Sequence, residues 1–199
     1  MIWTAITDFG DSAVMGPVAL GIALWLSASR AWRGALAWAL LFGSGALIVV
    51  CTKIAYVAWG LGVEPLDFTG ISGHAMSATS VFAVGGYLIG RWISRAAALA
   101  AAGAGVAIGV TVGVSRIVLG EHSPAEVVAG CALGAAVAVA AISVLRLHPA
   151  KLAAPAAFGL AILALAFALH GHRAPTEPLT VRIALYLSGH AAPYTRAPR

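Results

Sequence analysis

The chain has 199 residues, of which 61% are hydrophobic and only 10% are charged, and its mean hydropathy is +0.94. This composition lies far outside the usual balance of globular domains and excludes a single soluble core. The net charge of +5 does not indicate a nucleic-acid partner, because the basic residues are scattered among apolar runs and form no basic stripe.

Six uncharged runs divide the chain, each about as long as the ~17–25 residues that a helix needs to cross the hydrocarbon core of a bilayer. The first run is not expected to be a signal peptide, because Asp8 and Asp11 precede it where basic residues would be expected. We therefore predict an all-α integral membrane protein in which residues 1–170 form one bundle of six transmembrane helices. The runs are residues 12–29, 34–52, 75–90, 96–115, 127–145 and 152–169.

Two other segments have a different composition. Residues 59–73 (WGLGVEPLDFTGISG) contain four glycines, a proline and two acids, which predicts a short hairpin or re-entrant turn outside the bundle. Residues 171–199 form a polar tail, in which residues 178–188 are compatible with a short interfacial helix or with a loosely ordered segment.

Small residues recur at helical spacing in the fourth and fifth runs. Gly105, Gly109 and Gly113 fall on one face of the fourth helix, and Gly130 and Gly134 do so on the fifth. Such stripes let helix backbones approach closely in membranes, so we predict tight packing of both helices against a neighbour.

The short loops predict the orientation of the bundle. Basic residues follow the first, third and fifth runs, whereas the loops at the other end carry mainly acids. The positive-inside rule then places both termini and the acidic loops outside the cytoplasm, in a multi-pass protein of the cytoplasmic (inner) membrane. The tail opposes this rule, because it would put four arginines outside as well: Arg173, Arg182, Arg196 and Arg199.

Residues 115–130 (SRIVLGEHSPAEVVAG) concentrate ionisable groups in an otherwise apolar part of the chain. Such groups are costly in or near a bilayer and indicate a functional site. The sequence Ser-Pro-Ala-Glu from Ser123 predicts a capping box at the start of the fifth helix. Glu126 could serve this cap alone or a reaction as well, but a cap does not account for Arg116 or His122.

The alternating direction of the helices brings a second motif, residues 72–74, to the same end of the bundle. Two helix N-termini there, with a lysine and an arginine, would bind a phosphate-like oxyanion. Two histidines would supply a nucleophile and a general acid. No dense group of His, Cys and Asp has metal-ligand spacing, so neither a metal nor a cofactor is expected. The residues brought together are Lys53, Ser72, His74, Arg116, His122 and Glu126.

The Ser-Gly-His motif at 72–74, followed by Ser-Arg, five residues, His, three residues and an acid at 115–126, resembles the type-2 phosphatidic acid phosphatase superfamily. That superfamily includes membrane lipid phosphatases and shares its site with vanadium haloperoxidases. The resemblance implies that His122 is the nucleophile that forms a phosphohistidine, that Glu126 orients it, and that His74 protonates the leaving oxygen.

The same resemblance assigns the contacts to the substrate phosphate. Arg116 is implied as a phosphate clamp, Ser72 and the Gly73 amide as phosphate-binding donors, and Lys53 as the lysine of the family's first motif.

Two departures from the family pattern bear on activity. The first motif normally continues to an Arg-Pro pair, where this chain has Gly60 and Leu61. Losing one preorganised donor commonly costs a factor of ~10²–10³ in rate. Glu126 stands where the family usually has aspartate, which keeps the charge on a longer arm.

The leading hypothesis is a metal-independent membrane lipid phosphatase or diphosphatase whose active site faces the periplasm or exterior. A lipid phosphotransferase, and a non-catalytic protein that binds lipid phosphates, are the alternatives. The sequence leaves open which lipid is the substrate and which oligomeric state the protein adopts.

Overall fold

The computed structural model describes residues 2–149 and 151–196. This part of the chain is all-helical, with 77% of its residues in helices. In the described chain, the helices are α1 (Ile2–Asp8), α2 (Ser12–Ala28), α3 (Trp32–Trp59), α4 (Gly73–Gly90), α5 (Arg95–Val118), α6 (Pro124–Leu147), α7 (Pro155–Leu169) and α8 (Thr176–Ser188).

Helices α2 to α7 coincide with the six apolar runs, but they are not equally suited to crossing a membrane. Four stretches of the described chain are long and apolar enough: Ile2–Ala28, Trp32–Trp59, Arg95–Val118 and Pro124–Leu147. Helix α4 has 18 residues and α7 has 15. The membrane character of the fold is therefore supported, while the count of six spans stays a prediction.

Helix α4 occupies the centre of the bundle and packs mainly against α5 and α6. Most of its residues are buried, including the polar side chains of Ser77, Thr79 and Ser80. The hydroxyls of Ser77 and Ser80 donate to backbone carbonyls one turn earlier, at 2.8 and 3.1 Å. A helix surrounded by protein can carry such groups, because its side chains face neighbouring helices and the Ser77 and Ser80 hydroxyls are bonded within the helix.

The glycine stripes form the contacts of α5 and α6 with α4, which confirms the packing prediction. A Cβ atom on Gly105 would lie 2.3 Å from the carbonyl oxygen of Phe82, and one on Gly109 would lie 2.4 Å from the Cα atom of Thr79. On α6, a Cβ atom on Gly134 would lie 2.5 Å from the carbonyl oxygen of Met76. The helix backbones are therefore in direct contact and leave no room for a methyl group.

Replacing Gly109 by alanine is expected to destabilise the protein by about 1–3 kcal/mol, because the added methyl group meets the backbone of α4 rather than a movable side chain. Gly103→Ala on the same helix is the matched control, since no atom lies within 4 Å of its Cβ position. There the better helix propensity of alanine should be neutral or slightly stabilising. Thermal unfolding in one detergent would compare them, and equal stability of the two variants would contradict the packing argument.

The segment between α3 and α4 is a hairpin, as predicted for residues 59–73. Val63 and Phe68 pair through two backbone hydrogen bonds of 3.0 and 3.2 Å, around the short 3₁₀ turn Glu64–Leu66. The turn closes on Asp67, whose φ of 47° lies in the left-handed region.

Both ends of the described chain return to the end of the bundle that carries the predicted site. Helix α1 packs against α5, and α8 packs against α3. Helix α8 starts at Thr176, slightly before the segment considered from sequence. Arg199, one of the tail arginines, lies outside the described residues.

Candidate active site

Four helix ends supply the predicted site residues at one end of the bundle. Lys53 comes from the last turns of α3, His74 from the first turn of α4, Arg116 from the last turn of α5, and His122 from the turn before α6. These four residues and Gly73 line a cavity of about 560 Å³. A second cavity, of about 350 Å³, shares Lys53, Arg116 and His122 with the first.

The side chains of His122 and Glu126 form a short hydrogen bond one helical turn apart. Nδ1 of His122 lies 2.6 Å from Oε2 of Glu126, a residue with no exposed surface. Because a carboxylate only accepts, Nδ1 donates, and the lone pair of the neutral ring is on Nε2. His122 lines both cavities, so Nε2 is the ring nitrogen available to attack a bound group.

The predicted capping box is confirmed and uses the same carboxylate. Ser123 N–H donates to Oε2 of Glu126 at 3.0 Å, and the Ser123 hydroxyl accepts from the Glu126 N–H at 3.3 Å. The two interpretations of Glu126, as a cap and as the partner of His122, therefore hold together. The cap fixes the start of α6, and this in turn sets the position of the carboxylate beside the imidazole.

The other oxygen of Glu126 has partners that the sequence motifs did not indicate. Oε1 accepts from the Thr69 N–H at 2.7 Å and the Thr69 hydroxyl at 2.6 Å. It also lies 2.6 Å from Nη2 of Arg196 in the C-terminal tail. Neither residue stands at a recognisable spacing from Glu126, so no local signal could have identified them.

His74 has a carboxylate of its own, supplied by the N-terminal region. Oδ2 of Asp11 lies 3.8 Å from Nε2 of His74, which is too long for a hydrogen bond but close enough for charge interaction. Oδ1 of Asp11 caps α2 by accepting from the Ala13 N–H at 2.8 Å, and also accepts from the Ala174 N–H at 3.0 Å. Asp11 appeared in the sequence only as an acid that precedes the first run.

Replacing Asp11 by asparagine is expected to lower turnover about tenfold, because a carboxylate at this distance raises the proton affinity of a histidine by about one pKa unit or more. Asparagine caps a helix as well as aspartate does, so α2 should stay intact. Asp11→Ala, which loses the cap too, serves as the comparison. Turnover would be measured together with thermal stability, and unchanged turnover in Asp11→Asn would exclude a role for this charge.

The cations of the site are only partly neutralised within the described structure. Nη1 of Arg116 donates to the Thr7 hydroxyl at 3.2 Å, and Nη2 lies 3.7 Å from a carboxylate oxygen of Glu121, which is largely exposed. Nε of Arg116 is buried and has no hydrogen-bond partner among the described residues. A buried donor without a partner is costly, which suits a group that binds an oxyanion.

The protonation of both histidines follows from their surroundings, outside the predicted spans. Burial lowers the pKa of His122 below its ordinary value of 6.5. The hydrogen bond to Glu126 raises this pKa, and the charge of Lys53 lowers it by a smaller amount. Burial and Arg116 lower the pKa of His74 to about 3, against the raising effect of Asp11. Both rings are therefore neutral at neutral pH in the protein alone.

Two of the predicted site residues do not line either cavity. Ser72 is fully buried: its hydroxyl caps α4 by accepting from the Ala75 N–H at 3.4 Å, and its N–H donates to the Glu126 carbonyl at 3.1 Å. Glu126 lies behind His122. A phosphate contact by Ser72 stays a prediction, whereas the Gly73 position lies directly on the larger cavity.

The fold and site define a class of protein: an apolar helical bundle with two histidines and two cations around one cavity at the helix ends. Among the described residues, no group of three or more His, Cys, Asp and Glu side chains is arranged to hold a metal ion. The PAP2 superfamily model matches residues 48–149, just over half of the chain, and the chain belongs to this superfamily.

A curated relative is the "Uncharacterized 22.5 kDa protein in cps region" of Klebsiella pneumoniae, which is 35% identical over 133 residues, or 64% of this chain. The matched part is 62% of that protein's own length. No solved structure matches the chain. Asp11 and Arg196, which contact the site from the two ends of the chain, both lie outside residues 48–149.

Proposed function

We propose that this protein is a metal-independent phosphatase or diphosphatase that hydrolyses a lipid phosphate through a phosphohistidine on His122. Membership of the PAP2 superfamily supports a phosphatase-type function. The observation that carries the finer proposal is the 2.6 Å contact of His122 Nδ1 with Glu126, which leaves Nε2 free beside Lys53 and Arg116.

In the first half of the proposed reaction, Nε2 of His122 attacks phosphorus and the bond to the leaving oxygen breaks. The positive charge that forms on the imidazole is stabilised by Glu126, much as the acid of a catalytic triad stabilises its histidine. Arg116, Lys53 and the N-termini of α4 and α6 stabilise the negative charge on the other phosphate oxygens.

The leaving oxygen takes its proton from His74 in its protonated form, which burial and Arg116 disfavour in the protein alone. A bound phosphate dianion offsets the positive charge of Arg116 and Lys53, and so removes part of what lowers the pKa of His74. The bound phosphate and Asp11 thus both favour the protonated form of His74, which acts as the general acid. In the second half, His74 accepts a proton from the water that hydrolyses the phosphohistidine.

The larger cavity supports a lipid substrate. Besides the polar site residues, it is lined by apolar side chains of α2 and α3, among them Met15, Phe42 and Val49. This combination fits a phosphate head group at the helix ends and an acyl or prenyl chain against the apolar wall.

The proposed location is the cytoplasmic (inner) membrane, with the site facing the periplasm or exterior. The opposite end of the bundle carries the basic loops, with Arg30 and Arg33 at the junction of α2 and α3, and Arg91 and Arg95 at the junction of α4 and α5. Under the positive-inside rule that end is cytoplasmic.

Phosphate release from a panel of lipid phosphates and diphosphates, measured with the purified full-length protein in detergent and excess EDTA, tests the proposal. Release that persists in EDTA is expected for at least one lipid. Transfer of phosphate to a lipid hydroxyl without free phosphate would instead identify a transferase. Binding of vanadate without turnover of any lipid would identify a non-catalytic binder.

A further inference from the structure

The C-terminal tail is docked onto the site by contacts with the end of α3. The Tyr194 N–H donates to the Val57 carbonyl at 3.0 Å. The Tyr194 ring lies against Gly60, where a Cβ atom would be only 3.0 Å from it, so the absence of a side chain at Gly60 is what allows this approach. Residues 193–196 then form part of the wall of the smaller cavity, beside Lys53 and His122.

This docking delivers Arg196 to the carboxylate that binds His122. Nη2 of Arg196 lies 2.6 Å from Oε1 of Glu126, and the same nitrogen donates to the Thr69 hydroxyl at 3.1 Å. Nε lies 2.9 Å from a carboxylate oxygen of Asp67, whose carbonyl accepts from Nη2 at 3.1 Å. The Arg196 side chain is 22% exposed, whereas that of Glu126 is 0% exposed.

The two oxygens of Glu126 therefore have separate partners. Oε1 contacts Arg196 and Thr69, and Oε2 contacts His122 and the Ser123 N–H. Without Arg196, Oε1 would keep only its two bonds from Thr69, and the buried carboxylate would lose a cationic partner, which is costly. We propose that Arg196 is a positioning residue of the phosphatase site, which holds Oε1 of Glu126 so that Oε2 stays on Nδ1 of His122. The inference rests on the proposed function for its catalytic consequence.

The charge of Arg196 has a second effect on the nucleophile. The charged groups nearest His122 in its surroundings are Glu126 on one side and Lys53 and Arg116 on the other. Glu121, Glu177 of α8 and His74 share the larger cavity with it. By neutralising much of the Glu126 charge, Arg196 weakens the pull of that carboxylate on a proton at His122. The imidazole thus stays neutral and nucleophilic to lower pH.

Replacing Arg196 by glutamine tests this role in the full-length protein, with Arg182→Gln as the matched control. Arg182 is an exposed arginine of α8 that lines neither cavity. For Arg196→Gln we expect kcat to fall about 10- to 100-fold, with KM changed by no more than about twofold. This is the scale of losing one charged hydrogen bond, here the bond to Glu126, the partner of the nucleophile. Arg196→Lys should recover part of this loss, because it keeps the charge but not the fork of donors.

The pH profile separates positioning from a merely structural role. In the wild type, the acid limb of kcat/KM should lie below the ordinary imidazole pKa of 6.5, since activity is lost only when His122 becomes protonated. In Arg196→Gln the limb should move to higher pH, and in Arg182→Gln it should not move. An unmoved acid limb with unchanged kcat in Arg196→Gln would overturn the proposal. A rise in KM alone would also overturn it, because it would make Arg196 a phosphate contact.

A second readout keeps this inference separable from the proposed function. Nitrogen-15 resonances of histidine-labelled protein, with His122 assigned from a His122→Ala sample, report the titration of His122 without turnover. A higher midpoint in Arg196→Gln than in wild type is expected even if no lipid is hydrolysed. Equal midpoints would overturn the positioning role, whereas absence of phosphate release from the wild type alone would overturn only the proposed function.

Discussion

Replacing His122 by alanine is expected to lower phosphate release by about 10⁴-fold or more, the scale on which removal of a nucleophile acts in enzymes with a covalent intermediate. No other histidine of the described chain is bonded to Glu126, so no neighbouring ring can take over the attack. Release would be measured on the best lipid of the panel, at several protein concentrations, to set a firm upper limit on residual activity.

His172→Ala is the control for this variant, because His172 is exposed and its only hydrogen bond in the described structure is made by its backbone. A phosphoenzyme trapped from labelled substrate by an alkaline quench would add direct support, since phosphohistidine is labile in acid and survives in alkali. It should be found in the wild type after an alkaline quench and should be missing from His122→Ala. Full release by the variant would rule out His122 as the nucleophile.

The second large effect is expected at His74, and it should depend on the leaving group. Proton transfer by a positioned acid contributes about 10²–10⁴-fold to a rate. His74→Ala should lose this factor on lipid substrates, whose alkoxide leaving groups need a proton. It should lose much less on p-nitrophenyl phosphate, whose phenolate leaves without one.

The contrast between the two substrates is the measurement that assigns the role of His74. A purely structural loss would lower both rates alike, and so would loss of a phosphate contact. His148→Ala, at the C-terminal end of α6 and away from the site, should leave both rates unchanged. Equal losses on both substrates in His74→Ala would exclude general-acid catalysis by this residue.

Several features of the molecule followed from sequence because the relevant signals are local. Uncharged runs located helices α2 to α7, and the Ser-Pro-Ala-Glu sequence located the start of α6. The glycine spacing identified the faces of α5 and α6 that meet α4. The alternating direction of successive helices then brought Lys53, His74 and His122 to one cavity.

Local signals also misjudged some boundaries, for a physical reason. The second run ended before Lys53, but α3 continues to Trp59, because a charge ends a hydropathy run and does not end a helix. Helix α4 is central but is not among the four stretches that are long and apolar enough to cross a membrane. Hydropathy measures suitability for lipid, whereas α4 contacts mainly protein.

Only the tertiary structure revealed that Arg196 contacts Glu126 and that Asp11 lies beside His74. Arg196 lies 70 positions after Glu126, and Asp11 lies 63 positions before His74. Over such separations no helical or turn periodicity relates two residues, and an isolated arginine or aspartate in a polar segment has the composition of an ordinary solvent-exposed residue. The sequence by itself thus determined the helices, the two histidines and the cations between them. The docking of both chain ends, which sets the charge and orientation of those histidines, required the folded structure.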